Sequence, residues 1–391
     1  MKPRRRRLHI VLAVAAVSTA AVGVVRPAGG VPPASVPACS TSVAAAPSLP
    51  VAPRFVRVPG SPFGVVATRD GAVLVSLPNL HGGGAIAVLR GASQLRLVRT
   101  VAVRRPSMPL GLALSANGKR LYAADGLGAT VISVPGAERG ASAAVVRTLA
   151  DRGSGPIEAL LSRSGRYLFV SDEYSGAISV FDLAAKPKSA LVGAVPVPPG
   201  PVGLALSADG RYLFATSELG MNGQPADGSV SVIDAVKATT HPARALIRSV
   251  PAGCSPVRLV LSPDGKTLWI SARGSNAVVA FDTRSLIDGT SDVPLAVVPV
   301  GSAPVGLALL RHGSLLAVAN SNRFDNAAAT AGISIVDTAG ALAGDGQPVV
   351  GTIPARSFPR EMATSRDGRE LYITNYGSAV VESISTGSLP G

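Results

Sequence analysis

The segment Pro256-Val-Arg-Leu-Val-Leu-Ser-Pro-Asp-Gly-Lys-Thr-Leu-Trp-Ile-Ser271, continued by Asn276-Ala-Val-Val-Ala-Phe-Asp282, reads as three short strands. Val257 to Leu261 is an apolar run, Ser262-Pro263-Asp264-Gly265 has hairpin-turn chemistry, Leu268 to Ser271 is a second run and Ala277 to Asp282 a third. The same unit occurs seven times, each marked by a proline and a glycine: Pro62/Gly71, Pro109/Gly118, Pro156/Gly165, Pro201/Gly210, Pro256/Gly265, Pro304/Gly313 and Pro359/Gly368. The gap inside each pair is always 9, whereas successive copies lie 45 to 55 residues apart. Constant inner spacing with variable outer spacing is what a repeated hairpin with elastic loops gives. A leucine three residues after every glycine (Leu74, Leu121, Leu168, Leu213, Leu268, Leu316, Leu371) fixes the register of the second strand.

Each copy has room for a fourth strand before the next proline, as in Val145 to Leu149, Ala190 to Val195 and Leu295 to Val300. The third strand often ends in aspartate, at Asp182, Asp234, Asp282 and Asp337. Four antiparallel strands at this period make one propeller blade, so the chain is predicted to be all-β, a seven-bladed β-propeller over residues 52–391. No helical periodicity is long enough to compete. The seventh copy has no fourth strand after Ala379 to Ile384, and Arg54-Phe-Val-Arg-Val58 has no blade of its own. Together they predict that the N-terminal strand closes the last blade and removes an open edge.

Leu371-Tyr-Ile-Thr-Asn375, with Ser262-Pro-Asp-Gly265 and Val230-Ser-Val-Ile-Asp234, resembles the YVTN-type repeat of exported bacterial β-propellers and, more broadly, the lactonase-like seven-bladed propellers. The resemblance covers about residues 52–390. It implies the architecture; members of the family differ in activity. One tryptophan in the chain and no GH…WD pairing set it apart from the WD40 pattern.

Apolar residues make up 47% of the 391 and charged ones 15%, with 43 Gly and 32 Pro, which describes a folded, turn-rich protein. Residues 1–38 read as a secretion signal or N-terminal anchor: basic residues to Arg7, then an apolar stretch from Leu8 to Val25. Cleavage after Val36-Pro-Ala38, retention as an anchor and lipidation at Cys39 all remain open, and any contact with a membrane is expected only through this segment. An extracytoplasmic, cell-envelope or secreted location follows. Residues 39–51, rich in Pro, Ala and Ser, read as a linker. The two cysteines, Cys39 and Cys254, either form a bridge from tail to fifth repeat or leave Cys254 as a small buried residue. The net charge of +14 includes six basic residues before Cys39 (Lys2, Arg4 to Arg7, Arg26), leaving +8 for the remainder. That balance fits a generally basic surface or a polyanionic partner such as nucleic acid. With only 15 aromatics in the chain, few are expected to be free for base stacking. A monomer is expected.

If the first strand is innermost, the loop before each proline and the loop between second and third strands ring the mouth of the central channel, the expected ligand site. The position two after each proline is Gly64, Gly111, Gly203 and Gly306 in four copies, but Glu158, Arg258 and Glu361 in the other three. Charge there makes a polar channel mouth, with Arg360 beside Glu361, or else the charges simply pair with one another. The end of the second strand adds Asp125, Asp172, Asn320 and Asn375, with Glu173, Glu218, Arg273 and Tyr376 nearby. Turn capping is the alternative role for the Asp and Asn residues. Two long loops, Glu218 to Gly228 and Ser321 to Ala331, are expected on the mouth face, where Tyr174, Arg323 and Phe324 would form a lid.

Catalytic signals are sparse: no Gly-x-Ser-x-Gly elbow, phosphate loop, haem motif or zinc spacing occurs. The first expectation is therefore a non-catalytic scaffold binding a small molecule or cell-envelope macromolecule at the mouth. The second, implied by the resemblance, is a lactone hydrolase with Glu158 and Glu361 as catalytic carboxylates. In that reading the same pair, with Asn320 or Asn375, would hold a divalent cation such as Ca²⁺. Polyanion binding through the basic surface is the third.

Overall fold

The computed structural model describes residues 34–80, 83–91, 94–103, 107–126, 128–141, 144–151, 155–326 and 329–390. The expected signal therefore lies outside the described residues except for its last few positions. Seven four-stranded antiparallel sheets account for the described strands. Their first strands are Val65–Ala67, Leu112–Leu114, Pro156–Leu161, Pro201–Leu206, Pro256–Leu261, Pro304–Leu310 and Pro359–Thr364. Each touches the first strand of the next sheet, and the last returns to the first, so these strands form a closed inner ring. The chain is a seven-bladed β-propeller.

The repeat residues each have a physical task. In five blades the proline is the first residue of the inner strand, where no N–H is owed to a ladder. The repeat glycines all have left-handed backbones, with φ from 69° at Gly368 to 94° at Gly313, a conformation that costs side-chain-bearing residues energy. In the fifth blade Gly265 N–H donates to Ser262 C=O at 2.8 Å, and Ser262 Oγ accepts from Thr267 N–H at 2.9 Å, which sets the hairpin. The seven register leucines are all fully buried.

The core is divided among the junctions between blades. Leu316, Val318 and Trp269 pack at one such junction; Phe214, Val230 and Ile270 at another; Val65, Tyr372 and Val381 where the last blade meets the first. Stability thus depends on every neighbouring pair being present, and the seam must close. Closure comes from Arg54–Arg57, which pairs antiparallel with Val380–Ser385 in the register Arg54 to Ser383, Phe55 to Glu382 and Val56 to Val381.

Three of the four aspartates ending third strands turn out to be helix caps, while Asp182 accepts the Ala184 N–H in a turn. Asp234 accepts from Val236 and Lys237 N–H, Asp282 from Ser285 N–H and Asp337 from Ala339 N–H. Each starts a helix of one turn or little more, Ala235–Ala238, Thr283–Asp288 and Thr338–Ala343, that carries the chain toward the outer strand.

Residues 39–51, read from composition as a linker, lie fastened along the propeller. Ser40 N–H donates to Gly274 C=O at 2.9 Å, Ala44 N–H to Val300 C=O at 3.0 Å and Leu49 N–H to Thr352 C=O at 2.9 Å. Asn276 Nδ2 donates to the carbonyls of Ser40 and Ser42. Cys39 and Cys254 are joined as a disulfide. Composition predicted a linker here because the stretch is rich in Pro, Ala and Ser; it is fastened as a strap by backbone hydrogen bonds, which composition does not report.

Candidate functional site at the channel mouth

The inner ring is tight. A Cβ on Gly64, Gly111, Gly203 or Gly306 would lie 2.5, 2.6, 2.4 or 2.3 Å from a carbonyl oxygen in or just before the next blade's inner strand, so the missing side chains are required. In five blades a second-strand hydroxyl staples this layer. Ser76, Ser171, Thr216, Ser271 and Thr374 accept the N–H of Gly64, Glu158, Gly203, Arg258 and Glu361. The same hydroxyls donate to the carbonyls of Leu110, Val202, Val257, Val305 and Phe63 in the following blade.

Within this ring the three charged exceptions come together. Arg258 Nε donates to Glu361 Oε1 at 2.7 Å and lies 3.5 Å from Glu158 Oε2. The side chains are 7% exposed for Arg258, 16% for Glu158 and 15% for Glu361. Burial, opposed by the Arg258 charge and reinforced by Glu361, pushes the Glu158 carboxyl up to about 8. The trio is thus one buried ionic cluster in which the Glu158 carboxyl holds its proton more tightly than an ordinary glutamate. Each of the two carboxyls that the hydrolase reading requires is already an ion-pair partner of Arg258.

Above the trio lies a layer of arginines and aromatic rings. The Arg360 guanidinium sits 3.7 Å from the Phe63 ring centre, 5.5 Å from that of Phe358 and 6.0 Å from that of Tyr376. Arg323 lies 5.5 Å from both Phe358 and Phe324, and Arg273 lies 5.7 Å from Phe324. Arg273 forms a two-pronged pair with Glu218, at 3.0 and 2.7 Å. Arg360 and Arg323 have no ion pair of their own among the described residues, and Arg360 Nε is buried without a hydrogen-bond acceptor. Burial and then the Arg258 charge pull the Arg360 guanidinium down to about 9. Burial, followed by the charge of Arg273, lowers Arg323 as well. Glu173 is raised by burial and then by the Glu218 charge, so it holds its proton more tightly than an ordinary glutamate.

The structure thus gathers Glu158, Arg258, Glu361 and Arg360 in the channel, with Arg273 and Tyr376 at its mouth. Phe324 and Tyr174 are 62% and 83% exposed on the enlarged rim. The residues ending the second strands require correction. Asp172, Asn320 and Asn375 are buried within their blades and do not line the mouth. Asp172 accepts the Ser179 N–H at 3.1 Å, Asn320 donates to Ser334 at 2.8 Å, and Asn375 donates to Glu382 at 3.0 Å. Asp125 likewise accepts from Ser107 and Thr130. These are polar rungs between second and third strands, placed there because strand ends face the neighbouring strand. The amides of Asn320 and Asn375 accordingly bond Ser334 and Glu382 and not the Glu158 and Glu361 carboxyls. Among the described residues no three His, Cys, Asp or Glu side chains group closely enough to hold a metal.

Phe63, Phe358 and Glu382 were not singled out by the repeat pattern. A signal existed for the phenylalanines: they flank Pro62 and Pro359 directly. The residue before the proline is glycine or a small residue in five other blades (Ser61, Gly155, Gly200, Ser255, Ala303).

No family model matches the sequence, and no curated protein matches it. Solved structures match the fold. A chain of Kuenenia stuttgartiensis hydrazine synthase is 20% identical, with a TM-score of 0.67 over 85% of this chain and 97% of that one. A chain of the mitotic checkpoint complex is 16% identical, with a TM-score of 0.66 over 93% and 98%. Streptogramin B lyase is 14% identical, with a TM-score of 0.60 over 86% and 97%. Identities this low establish shared architecture alone. Sequence repeat, blade topology and structural neighbours agree that this chain is a β-propeller.

Proposed function

We propose that this protein is an exported propeller of the YVTN type that acts as a binding scaffold, taking its ligand at the channel mouth. One observation carries the reading: Arg360 and Arg323 are drawn out of water onto aromatic rings with no ion pair of their own among the described residues. Desolvating a cation and leaving it unpaired costs stability, so the arrangement makes physical sense when a ligand completes it. The Cys39–Cys254 disulfide supports an extracytoplasmic location, where such bonds persist.

The test is equilibrium dialysis of the full-length protein against a small-molecule extract of its source cells, with retained compounds read by mass spectrometry. Compounds retained by the wild type and lost by Arg360→Gln are expected. Equal retention by both proteins would refute a site at the mouth.

A divalent-cation-dependent lactone hydrolase is the second reading, and what favours it is the meeting of Glu158 and Glu361. Arg258 already neutralises that pair, so a cation such as Ca²⁺ would have to displace a buried guanidinium. Polyanion or nucleic-acid binding through the +8 surface is supported less. It needs a row of available exposed cations, whereas Arg90, Arg166 and Arg284 are already joined to acids.

A further inference from the structure

We propose that the ligand of the mouth is a small planar carboxylate, its anionic end held by Arg360 and Arg323 and its flat body laid against Phe358. The proposal rests on the mouth-binding reading above and adds the chemical class of what binds.

Three independent features point to it. First, Arg360 and Arg323 approach the same Phe358 ring, each 5.5 Å from its centre, with no acid paired to either among the described residues. Two like charges gathered at one ring repel, and an oxyanion between them reverses the sign of that interaction. Second, Arg360 stands one residue after the repeat proline, where the other six blades carry Phe63, Leu110, Ile157, Val202, Val257 and Val305. The fold accepts an apolar residue at that point in every other blade, so a guanidinium there answers to something other than packing.

Third, Phe358 has a left-handed backbone, φ 55°. Blades three to six make the same left-handed turn at this point, at Gly155 (φ 81°), Gly200 (72°), Ser255 (48°) and Ala303 (51°), so the turn belongs to the repeat and only the bulky ring belongs to this blade. A bulky residue in that conformation is an outlier, and strain of this kind collects at ligand sites. The backbone gains nothing from the ring; the mouth gains a flat apolar surface between two cations.

The charge count favours a monoanion. Glu361 is taken by Arg258 and Glu218 by Arg273, and Glu173 is a further acid on which both Arg360 and Arg323 act. A dianionic phosphate would face that acid at greater cost than a carboxylate. The ring of aromatic side chains around Arg360 favours a small ligand over a polymer, which would need its cations exposed in a row.

The experiment is a fluorescence titration of the full-length protein with 2-naphthoate, alongside 2-naphthyl phosphate and the uncharged 2-naphthylmethanol. Saturable binding of 2-naphthoate is expected, at least tenfold tighter than either companion, and weakened at least tenfold in Arg323→Gln and in Phe358→Gly. Phe358→Gly places glycine where blades three and four already have it, so its melting temperature should be unchanged or higher, which separates loss of contact from loss of fold. Equal binding of the alcohol, tighter binding of the phosphate, or wild-type affinity in both variants would overturn the proposal. A neutral compound retained in an Arg360-dependent manner, with no response to 2-naphthoate, would remove the carboxylate and keep the site. Dialysis showing no Arg360-dependent retention, with no response to 2-naphthoate, would remove both.

Discussion

At the residue scale, the hydroxyl staples show how one atom serves two blades. Ser271 Oγ accepts the Arg258 N–H at 3.1 Å and donates to Val305 C=O at 2.7 Å. Ser271→Ala leaves both buried groups without partners and should cost about 1–3 kcal/mol in urea unfolding. Alanine is tolerated at Ala124 because Gly111 N–H reaches Ile157 C=O directly, at 2.8 Å. The Arg258 trio makes a second prediction. Arg258→Leu leaves Glu158 and Glu361 buried without their cation, a loss of about 3–5 kcal/mol for a broken buried pair. Protonation relieves that repulsion, so the variant should be far closer to wild-type stability at pH 5 than at pH 8. An equal deficit at both pH values would show that packing, not charge, is Arg258's contribution.

At the scale of the element, the closing strand has a titratable group at its seam. Glu382 lies opposite Phe55 of the closing strand and is fully buried. Burial, partly offset by the Asn375 amide, raises its carboxyl from 4.5 to about 7. The folded state therefore binds this proton more tightly than the unfolded chain does. The resulting stability is complete below the unfolded value and is lost as pH rises through the folded one, between about 4.5 and 7. A shift of this size corresponds to roughly 3 kcal/mol, lost by the time neutral pH is reached. Glu382→Gln should remove that part of the decline in denaturant midpoint between pH 4.5 and 7, leaving the part due to Glu158. Unfolding curves of the two proteins across that range check it, and parallel pH profiles would show that Glu382 does not titrate there.

Across the whole molecule, stability depends on closing a ring and on a strap that spans it. A chain lacking residues 1–53 keeps the closing strand and loses the strap with its disulfide, which encloses 215 residues. Bridges over loops of this length contribute up to about 5 kcal/mol, so this truncation should melt well below the full chain while remaining monomeric. Removing residues 1–57 also takes Arg54–Arg57 and bares the edge of Val380–Ser385. Open edges recruit other strands, so the longer truncation should elute as aggregate in size-exclusion chromatography. A folded monomer from both would mean that the seam between Tyr372, Val381 and Val65 closes the ring unaided.

The sequence by itself determined the number of blades, their register and the closing strand, because each is written in local chemistry. The Pro–Gly spacing sets the hairpin, positive φ demands the glycine, and a leucine three residues on fixes which face is buried. It also exposed Glu158, Arg258 and Glu361, since charge at a point where glycine is otherwise required stands out without coordinates. Only the tertiary structure decided which of them meet. Arg258 and Glu361 are 103 residues apart and are joined by the circumference of the ring, not by any pattern in the chain. The same holds for the gathering of Phe63, Phe358 and Tyr376 around Arg360 and for the strap's hold on two blades. The end-of-strand Asp and Asn residues misled for the complementary reason: their residue types suit a ligand site, but a side chain's direction is set by the strand beside it.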